Sequence, residues 1–179
     1  MTSRLQRWRV PLGFASAAAL LLLAHPRLRT LALGLPIAVI GVALRAAAAG
    51  HIRKNDELAT QGPYRYTRNP LYLGSSVLGA GLVIAAGSWW LALLAVLLLG
   101  LVYLPVIRQE ERYLSARFGE AFQAYAARVP RLLPRWPARP AAASAGFSFA
   151  LYRRHREYQA LLGFAALALA LILKWKLNW

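Results

Sequence analysis

The sequence predicts an all-α membrane protein, a polytopic bundle of about five transmembrane helices. Of its 179 residues 59% are apolar, yet the formal net charge is +16. Long apolar runs separated by arginine-rich loops are typical of polytopic membrane proteins, whereas a soluble domain is rarely both so apolar and so basic. Because no soluble basic domain is left over to carry it, nucleic acid is not an expected partner.

Two further features of the composition narrow the chemistry. The chain contains no cysteine, which excludes disulfides, a thiolate nucleophile and Cys-ligated zinc. Its three histidines, His25, His51 and His155, are scattered along the chain without the spacing of metal ligands. We therefore expect no metal site.

Five apolar segments account for the predicted spans: residues 10–24, 30–50, 71–86, 89–107 and 160–173. A helix needs about 20 residues to cross a bilayer, so the first segment is short. Gly87 and Ser88 leave only a tight turn between the third and fourth segments, which predicts an antiparallel helical hairpin. Arg45 is the one charge well inside a segment, near an end from which its side chain can reach the interface.

The basic residues predict which polar stretches share one side of the membrane. With five spans, the N-terminus, residues 51–70 and residues 108–158 lie together, and they carry most of the positive charge. The positive-inside rule places them in the cytosol, where the two longer stretches can meet. The chain thus divides into two N-terminal helices (1–50), a core of loop, hairpin and amphipathic helix (51–134), and a basic linker with a C-terminal transmembrane helix (135–179).

Residues 62–74, GPYRYTRNPLYLG, join a doubly basic loop directly to an apolar helix. Pro63 and Pro70 stiffen this loop, and Pro70 biases the residue before it away from helical geometry. Arginines at the edge of the bilayer are costly unless they are solvated, paired or in use. One interpretation is an interfacial loop, in which the arginines hold lipid phosphates and the tyrosines form an aromatic belt.

Residues 108–134 contain a second unusual pattern, an amphipathic helix whose large apolar side chains recur at steps of three and four. Gly119 is expected to bend this helix, and Pro130 to end it. A basic helix lying on anionic lipid would explain the arginines of this stretch.

That interpretation leaves two acids of the same stretch unexplained. Glu110 and Glu111 are adjacent in a chain with only six acidic residues, and they follow directly on a predicted membrane span. They either form structural ion pairs with Arg65 or Arg68, or they belong to a functional site.

Together these stretches resemble the integral-membrane methyltransferases typified by isoprenylcysteine carboxyl methyltransferase, a group that includes membrane phospholipid N-methyltransferases. The resemblance runs from residue 62 to residue 134: GPYRYTRNPLYLG, a helical hairpin, then EERYL, FGEAFQAY and RVPRLLP. It implies that residues 51–134 form a methyltransferase core with a pocket for S-adenosylmethionine (SAM) at the cytosolic membrane face. Many members have histidine where this chain has Asn69, which forms hydrogen bonds but does not titrate.

The resemblance also implies which residues form the site. The cofactor-binding residues would be Tyr64, Arg68, Asn69, Pro70, Tyr72, Leu73, Glu110 and Glu111. The substrate-binding residues at the mouth would be Tyr125, Arg128 and Arg131, and the catalytic residues Arg128, Glu111 and Arg68, with Arg128 holding a substrate carboxylate. A glutamate complements the cations of SAM, an arginine its carboxylate, and aromatic rings its adenine and sulfonium.

The implied function is SAM-dependent methyl transfer to a lipophilic membrane substrate. Carboxyl O-methylation of an isoprenylcysteine-like substrate is favoured over phospholipid amine N-methylation, because a carboxylate is already ionised at pH 7 whereas an ammonium must first lose a proton to a base. No histidine lies near the motifs to serve as that base. The expected partners are membrane lipids and a lipophilic or prenylated substrate, and the expected location is the cytoplasmic (inner) membrane.

Two interpretations from other classes stay open on the sequence alone. A membrane reductase of related architecture would bind NADPH rather than SAM. A non-catalytic, lipid-binding membrane protein would keep its function after Glu110 or Glu111 is changed to glutamine.

Overall fold

The computed structural model describes residues 4–52, 57–136 and 146–178. Within these residues all regular structure is helical, which confirms the predicted all-α class. The α-helices are α1 (Arg4–Leu23), α2 (Leu28–Ala49), α3 (Pro70–Ala86), α4 (Trp89–Leu98), α5 (Leu104–Ala126), α6 (Phe149–Arg154) and α7 (Tyr158–Lys176). A 3-10 helix covers Gly62–Arg65, and a π-helical turn at Leu99–Tyr103 joins α4 to α5.

Within the described part of the chain, three helical stretches are long and apolar enough to cross a membrane: α2, the continuous helix Trp89–Ala126, and α7. The helix α3 is also apolar but has only 17 residues. These stretches are typical of an integral membrane protein. The predicted count of five spans stays a prediction.

The helices α2 and α3 pack backbone against backbone. A Cβ atom added to Gly34 of α2 would lie 2.3 Å from the amide nitrogen of Ala85, and one added to Gly81 of α3 would lie 2.3 Å from that of Ala38. Only glycine allows so close an approach, as in other membrane helices with small residues at their contacts. This packing fixes where α3 begins, and therefore where the loop before it lies.

The turn between α3 and α4 is as tight as the sequence predicts. Gly87 ends α3 in the left-handed conformation, with φ 65°, which glycine adopts without steric cost. The amide of His25 donates a hydrogen bond of 2.7 Å to the carbonyl of Ala86, so the α1–α2 connection lies at the same end of the bundle. The core of the bundle, which includes Leu31, Leu82 and Leu171, joins α7 to these helices.

The second half of the chain differs from the prediction in two details. The predicted fourth span and the amphipathic helix form one helical stretch, which bends at Gly119 (φ 51°) as expected and ends at Ala126, before Pro130. The predicted linker is not wholly irregular, because α6 lies within it. The rest of that linker includes residues 137–145, which lie outside the described residues.

Candidate functional site

A cavity of about 580 Å³ lies where the loop before α3, the first turns of α3, the α4–α5 helix and the start of α7 come together. Its volume is in the range that holds a small ligand or cofactor. Seven aromatic side chains line it: Tyr64, Tyr72, Tyr103, Tyr113, Phe118, Phe122 and Tyr125. Four of the six acidic residues of the chain also line it: Glu57, Glu110, Glu111 and Glu157. In so basic a protein, this concentration of carboxylates and ring faces suits a ligand that carries positive charge.

The loop that enters the cavity is held from both sides. A Cβ atom on Gly62, whose φ is 56°, would lie 2.5 Å from the ring of His51, so the chain needs glycine at this turn. The phenol of Tyr125 on α5 donates a hydrogen bond of 2.7 Å to the carbonyl of Tyr64. Burial raises the pKa of the Tyr64 phenol well above its ordinary value, and the negative charge of Glu110 adds to the effect, so this phenol stays protonated at neutral pH.

Residues 128–136 run back alongside the same loop and are hydrogen-bonded to it. The amide of Arg68 donates to the carbonyl of Pro130 at 2.9 Å, and the amide of Arg135 donates to the carbonyl of Tyr66 at 3.0 Å. The two motif stretches predicted from the sequence therefore meet at one face of the helical bundle.

Glu111 is the centre of a network of polar contacts and is 8% exposed. Arg131 donates from Nε to one carboxylate oxygen at 2.8 Å, and Asn69 donates from Nδ2 to the other at 3.3 Å. The Nε of Arg68 lies 3.4 Å from that second oxygen, an ion pair without a hydrogen bond. Both oxygens of Glu111 are thus engaged, which identifies it as a residue that holds the two stretches together.

Glu110, the preceding residue, has a different environment. The hydroxyl of Tyr72 donates to its Oε2 at 3.1 Å, and the ring of Tyr72 packs edge-on against Tyr103, with centroids 5.8 Å apart. No ion pair to Glu110 is found among the residues that the structure describes. Glu110 therefore presents a carboxylate to the cavity that no described cation of the protein neutralises.

Arg45 and Glu157 form an ion pair in another part of the cavity wall. Arg45 donates from Nε to Oε2 of Glu157 at 3.0 Å and from Nη2 to both carboxylate oxygens at 2.8 Å. Its Nη1 contacts the hydroxyl of Ser75. The structure gives Arg45 an acidic partner, because Glu157, the residue before α7, lies against it. That its side chain reaches the interface stays a prediction.

The structure brings most of the predicted site residues to this one cavity. Its wall includes Tyr64, Arg68, Asn69, Pro70, Tyr72, Glu110, Glu111 and Tyr125. Arg131 reaches Glu111 from an exposed position outside the wall, and half-buried Leu73 is not part of the wall either.

Arg128 differs most from its predicted role. Its side chain is exposed and donates from Nε to the carbonyl of Ala124 at 2.8 Å, one turn earlier in its own helix. This geometry does not support Arg128 as the residue that holds a substrate carboxylate in the cavity. It also does not support Glu111 as a reacting group, because both of its oxygens are already engaged.

Sequence reasoning missed several residues of the wall, above all Arg45, Tyr103 and Glu157. Two signals were available: Arg45 is the one charge well inside an apolar segment, and Glu157 is one of only six acids. Among the described residues, no three His, Asp or Glu side chains are placed to hold a metal ion.

The chain is similar to a known protein family and to several characterised proteins. A model of the family described as phospholipid methyltransferase matches residues 30–121, about half of the chain. The cobalt-zinc-cadmium resistance protein CzcN of Cupriavidus metallidurans is 39% identical over 148 residues, which covers 74% of this chain and 64% of that protein.

Two further relatives match shorter stretches. The nickel-cobalt-cadmium resistance protein NccN of Alcaligenes xylosoxydans xylosoxydans is 41% identical over 105 residues, covering 58% of this chain and 47% of that protein. The protein-S-isoprenylcysteine O-methyltransferase of Schizosaccharomyces pombe is 33% identical over 84 residues, covering 47% of this chain and 36% of that protein. The chain thus spans less than two thirds of the length of each relative. No solved structure matches.

Proposed function

The chain belongs to the phospholipid methyltransferase family, and from that premise we propose that it transfers a methyl group from SAM to a lipophilic substrate within the membrane. The cavity that Glu110 and the aromatic residues line would hold the cofactor. The related isoprenylcysteine O-methyltransferase supports carboxyl O-methylation as the finer assignment. The same family also contains phospholipid methyltransferases, so amine N-methylation is the alternative.

The observation that carries this proposal is the environment of Glu110. Its carboxylate has one phenol donor and no cationic partner among the described residues, and aromatic side chains line the same cavity. A carboxylate without a cationic partner can accept hydrogen bonds from the ammonium of a ligand, and the faces of aromatic rings stabilise a sulfonium. SAM carries both cations, and the cavity has room for it. Tyr64 and Phe122 are apolar surfaces against which an adenine ring can pack.

The residues around the cavity would have two tasks in methyl transfer, to position the cofactor and to exclude water. Bound SAM supplies an electrophilic methyl group on a positively charged sulfur. Glu110, fixed by Tyr72, would set the position of the cofactor, so that the acceptor oxygen attacks in line as the C–S bond breaks and the O–C bond forms. The apolar residues Val102 and Val106 of the wall would exclude water, which favours a step that neutralises charge.

An amine acceptor would place one more demand on the same cavity. A protonated amine must lose a proton before it attacks, and that requires a base. Glu110, which would also hold the cofactor, and His155, which lines the same cavity, are the groups that could take this proton. A carboxylate acceptor needs no base, which is why we favour O-methylation.

We further propose that five helices span the membrane and that the cavity opens at the cytosolic face. The helices α1 and α3 would be the other two spans, beside α2, the continuous helix Trp89–Ala126 and α7. The helix α3 packs on α2 along its length, which supports this placement. The arginines of residues 128–136 would then lie at the cytosolic surface, in agreement with the positive-inside rule.

The experiment is an assay of methyl transfer by the purified protein. Methyl-labelled SAM is incubated with the protein and a membrane lipid extract, and the labelled lipid is then treated with alkali. Label released as methanol identifies a methyl ester and supports O-methylation, whereas alkali-stable label identifies an N-methyl or ether product. Absence of lipid labelling together with absence of SAM binding would contradict the proposed function. In the same assay Glu110→Gln is compared with Glu120→Gln, the matched control, because Glu120 is an exposed acid on the same helix.

A further inference from the structure

The ion pair between Arg45 and Glu157 has no role in the cofactor site proposed above. Its side chains are 16% and 11% exposed, and both line the cavity. Glu157 lies outside residues 30–121, the stretch that matches the family. The pair therefore joins a residue of the matched core to one from the start of the C-terminal helix.

The protein holds the guanidinium of Arg45 in the cavity wall. A lone arginine in an apolar helix extends its guanidinium toward water, but Glu157 binds it in a bidentate arrangement with a fixed plane. Glu157 itself follows Arg156, whose φ of 54° is a left-handed conformation that a non-glycine residue keeps only where the surrounding structure imposes it. Nε2 of His155 lies 3.0 Å from the carbonyl oxygen of Ile52, which fastens the same turn.

One side of the guanidinium stays available to a ligand. Glu157 engages Nε and Nη2, whereas Nη1 contacts the hydroxyl of Ser75, which in turn donates to the carbonyl of Leu71 at 2.9 Å. A guanidinium carries five N–H donors, so Nη1 retains donor capacity beside a small hydroxyl at the cavity wall. An arginine arranged in this way is suited to an oxyanion.

We propose that Arg45, positioned by Glu157, binds the anionic group of the methyl acceptor, a carboxylate or a phosphate. This inference rests on the proposed function and assigns to Arg45 the task that was predicted for Arg128, to hold an anionic group of the substrate. The acceptor's anionic group would lie at Nη1, and the apolar residues of the wall would hold its lipid chain. The competing explanation is that the pair only ties α2 to α7.

A charge exchange separates the two explanations. Two variants carry one substitution each, Arg45→Gln and Glu157→Gln. A double variant exchanges the charges, with Arg45→Glu and Glu157→Arg. The control is Arg29→Gln, because Arg29 is an exposed arginine at the other end of α2. Each purified protein is tested with adenosylhomocysteine present, for binding of N-acetyl-S-farnesylcysteine, of its uncharged amide and of phosphatidylethanolamine. The affinity for SAM and the melting temperature are measured in parallel.

We expect Arg45→Gln to weaken binding of one anionic ligand by about tenfold to a hundredfold, since that is the range for a hydrogen bond to a charged group. If binding of N-acetyl-S-farnesylcysteine is weakened, Arg45 holds a carboxylate. If binding of phosphatidylethanolamine is weakened, it holds a phosphate. Binding of the amide, the affinity for SAM and the Arg29→Gln control should stay within about twofold of wild type, a ratio that corresponds to a fraction of RT. The double variant should regain the melting temperature without regaining affinity for the anionic ligand.

Two results would overturn the inference. If the double variant regains both the melting temperature and anionic-ligand binding, the pair is a structural tie. If the wild-type protein binds SAM but neither anionic ligand, the proposal that Arg45 binds the acceptor is contradicted, while the proposal for the cofactor stands. Loss of SAM binding in wild type would instead contradict the proposed function itself.

Discussion

Glu110 and Glu111 are neighbours in sequence and opposites in environment. Glu111 engages both carboxylate oxygens with Arg131, Asn69 and Arg68. Glu110 accepts a hydrogen bond from Tyr72 and has no described cationic partner. One step along an α-helix turns a side chain by about 100°, so α5 directs Glu111 at the loop before α3 and Glu110 at Tyr72 of α3.

The difference shows how a pair of acids can divide structural and binding roles. A buried carboxylate with several donors stabilises the elements that supply those donors, and it has little capacity left for a ligand. A carboxylate with one neutral donor still lacks a counter-charge, and a cationic ligand can supply it. We therefore expect Glu111→Gln to lower stability and Glu110→Gln to weaken ligand binding.

The largest expected effect is on stability, in Glu111→Gln. The substitution leaves the buried Nε of Arg68 without its counter-charge, and we expect a loss of about 3 kcal/mol of folding free energy, as for one partner removed from a buried ion pair. The melting temperature in detergent measures the loss. An unchanged melting temperature would show that Glu111 does not hold the two stretches together.

Glu110→Gln should instead leave the melting temperature near that of wild type and weaken SAM binding. We expect a loss of about tenfold to a hundredfold in affinity, because a hydrogen bond to a charged group contributes about 1.5–3 kcal/mol. Calorimetry measures the affinity, with Glu120→Gln as the control on the same helix. Equal losses of affinity in both variants would mean that the effect comes from net charge and not from the site.

Tyr72→Phe should have a smaller effect of the same kind. Removal of the hydroxyl takes away the one described donor to Glu110 but leaves the carboxylate, so SAM affinity should fall about fivefold, equivalent to about 1 kcal/mol. Tyr66→Phe is the control, since the ring of Tyr66 stacks on Trp136 with centroids 5.2 Å apart. If both tyrosine variants bind SAM as wild type does, the orientation of Glu110 does not depend on Tyr72.

The smallest effect is expected for Arg128→Gln. The side chain is exposed and bonded only to its own helix among the described contacts, so SAM affinity and acceptor KM should stay within about twofold of wild type. Steady-state kinetics with labelled SAM measures both quantities. A tenfold rise in acceptor KM would show that Arg128 does hold the substrate carboxylate.

Local signals in the sequence predicted much of the fold. The hairpin followed from two apolar runs separated by Gly87 and Ser88, and the bend in α5 followed from Gly119. The short helix α6 was missed, because six residues carry too little periodicity to be recognised within a basic linker.

The site was predictable only where its residues belong to the two motif stretches. Arg45 and Glu157 are 112 residues apart, and only the packing of α7 on the bundle makes them partners. Tyr103 lies in a π-helical turn, whose hydrogen-bond pattern has no signal in the sequence. The turn of Arg128 back to a carbonyl of its own helix is a choice of side-chain conformation, which residue type alone does not determine.

The most direct test of the account is calorimetric titration of the wild-type protein with SAM and, separately, with NADPH. We predict saturable binding of one SAM per chain and no saturable binding of NADPH, because Glu110 offers a counter-charge to the ammonium and sulfonium of SAM, whereas NADPH carries no cation. Binding of NADPH, or no binding of SAM, would contradict the claim that this cavity is the cofactor site of a methyltransferase.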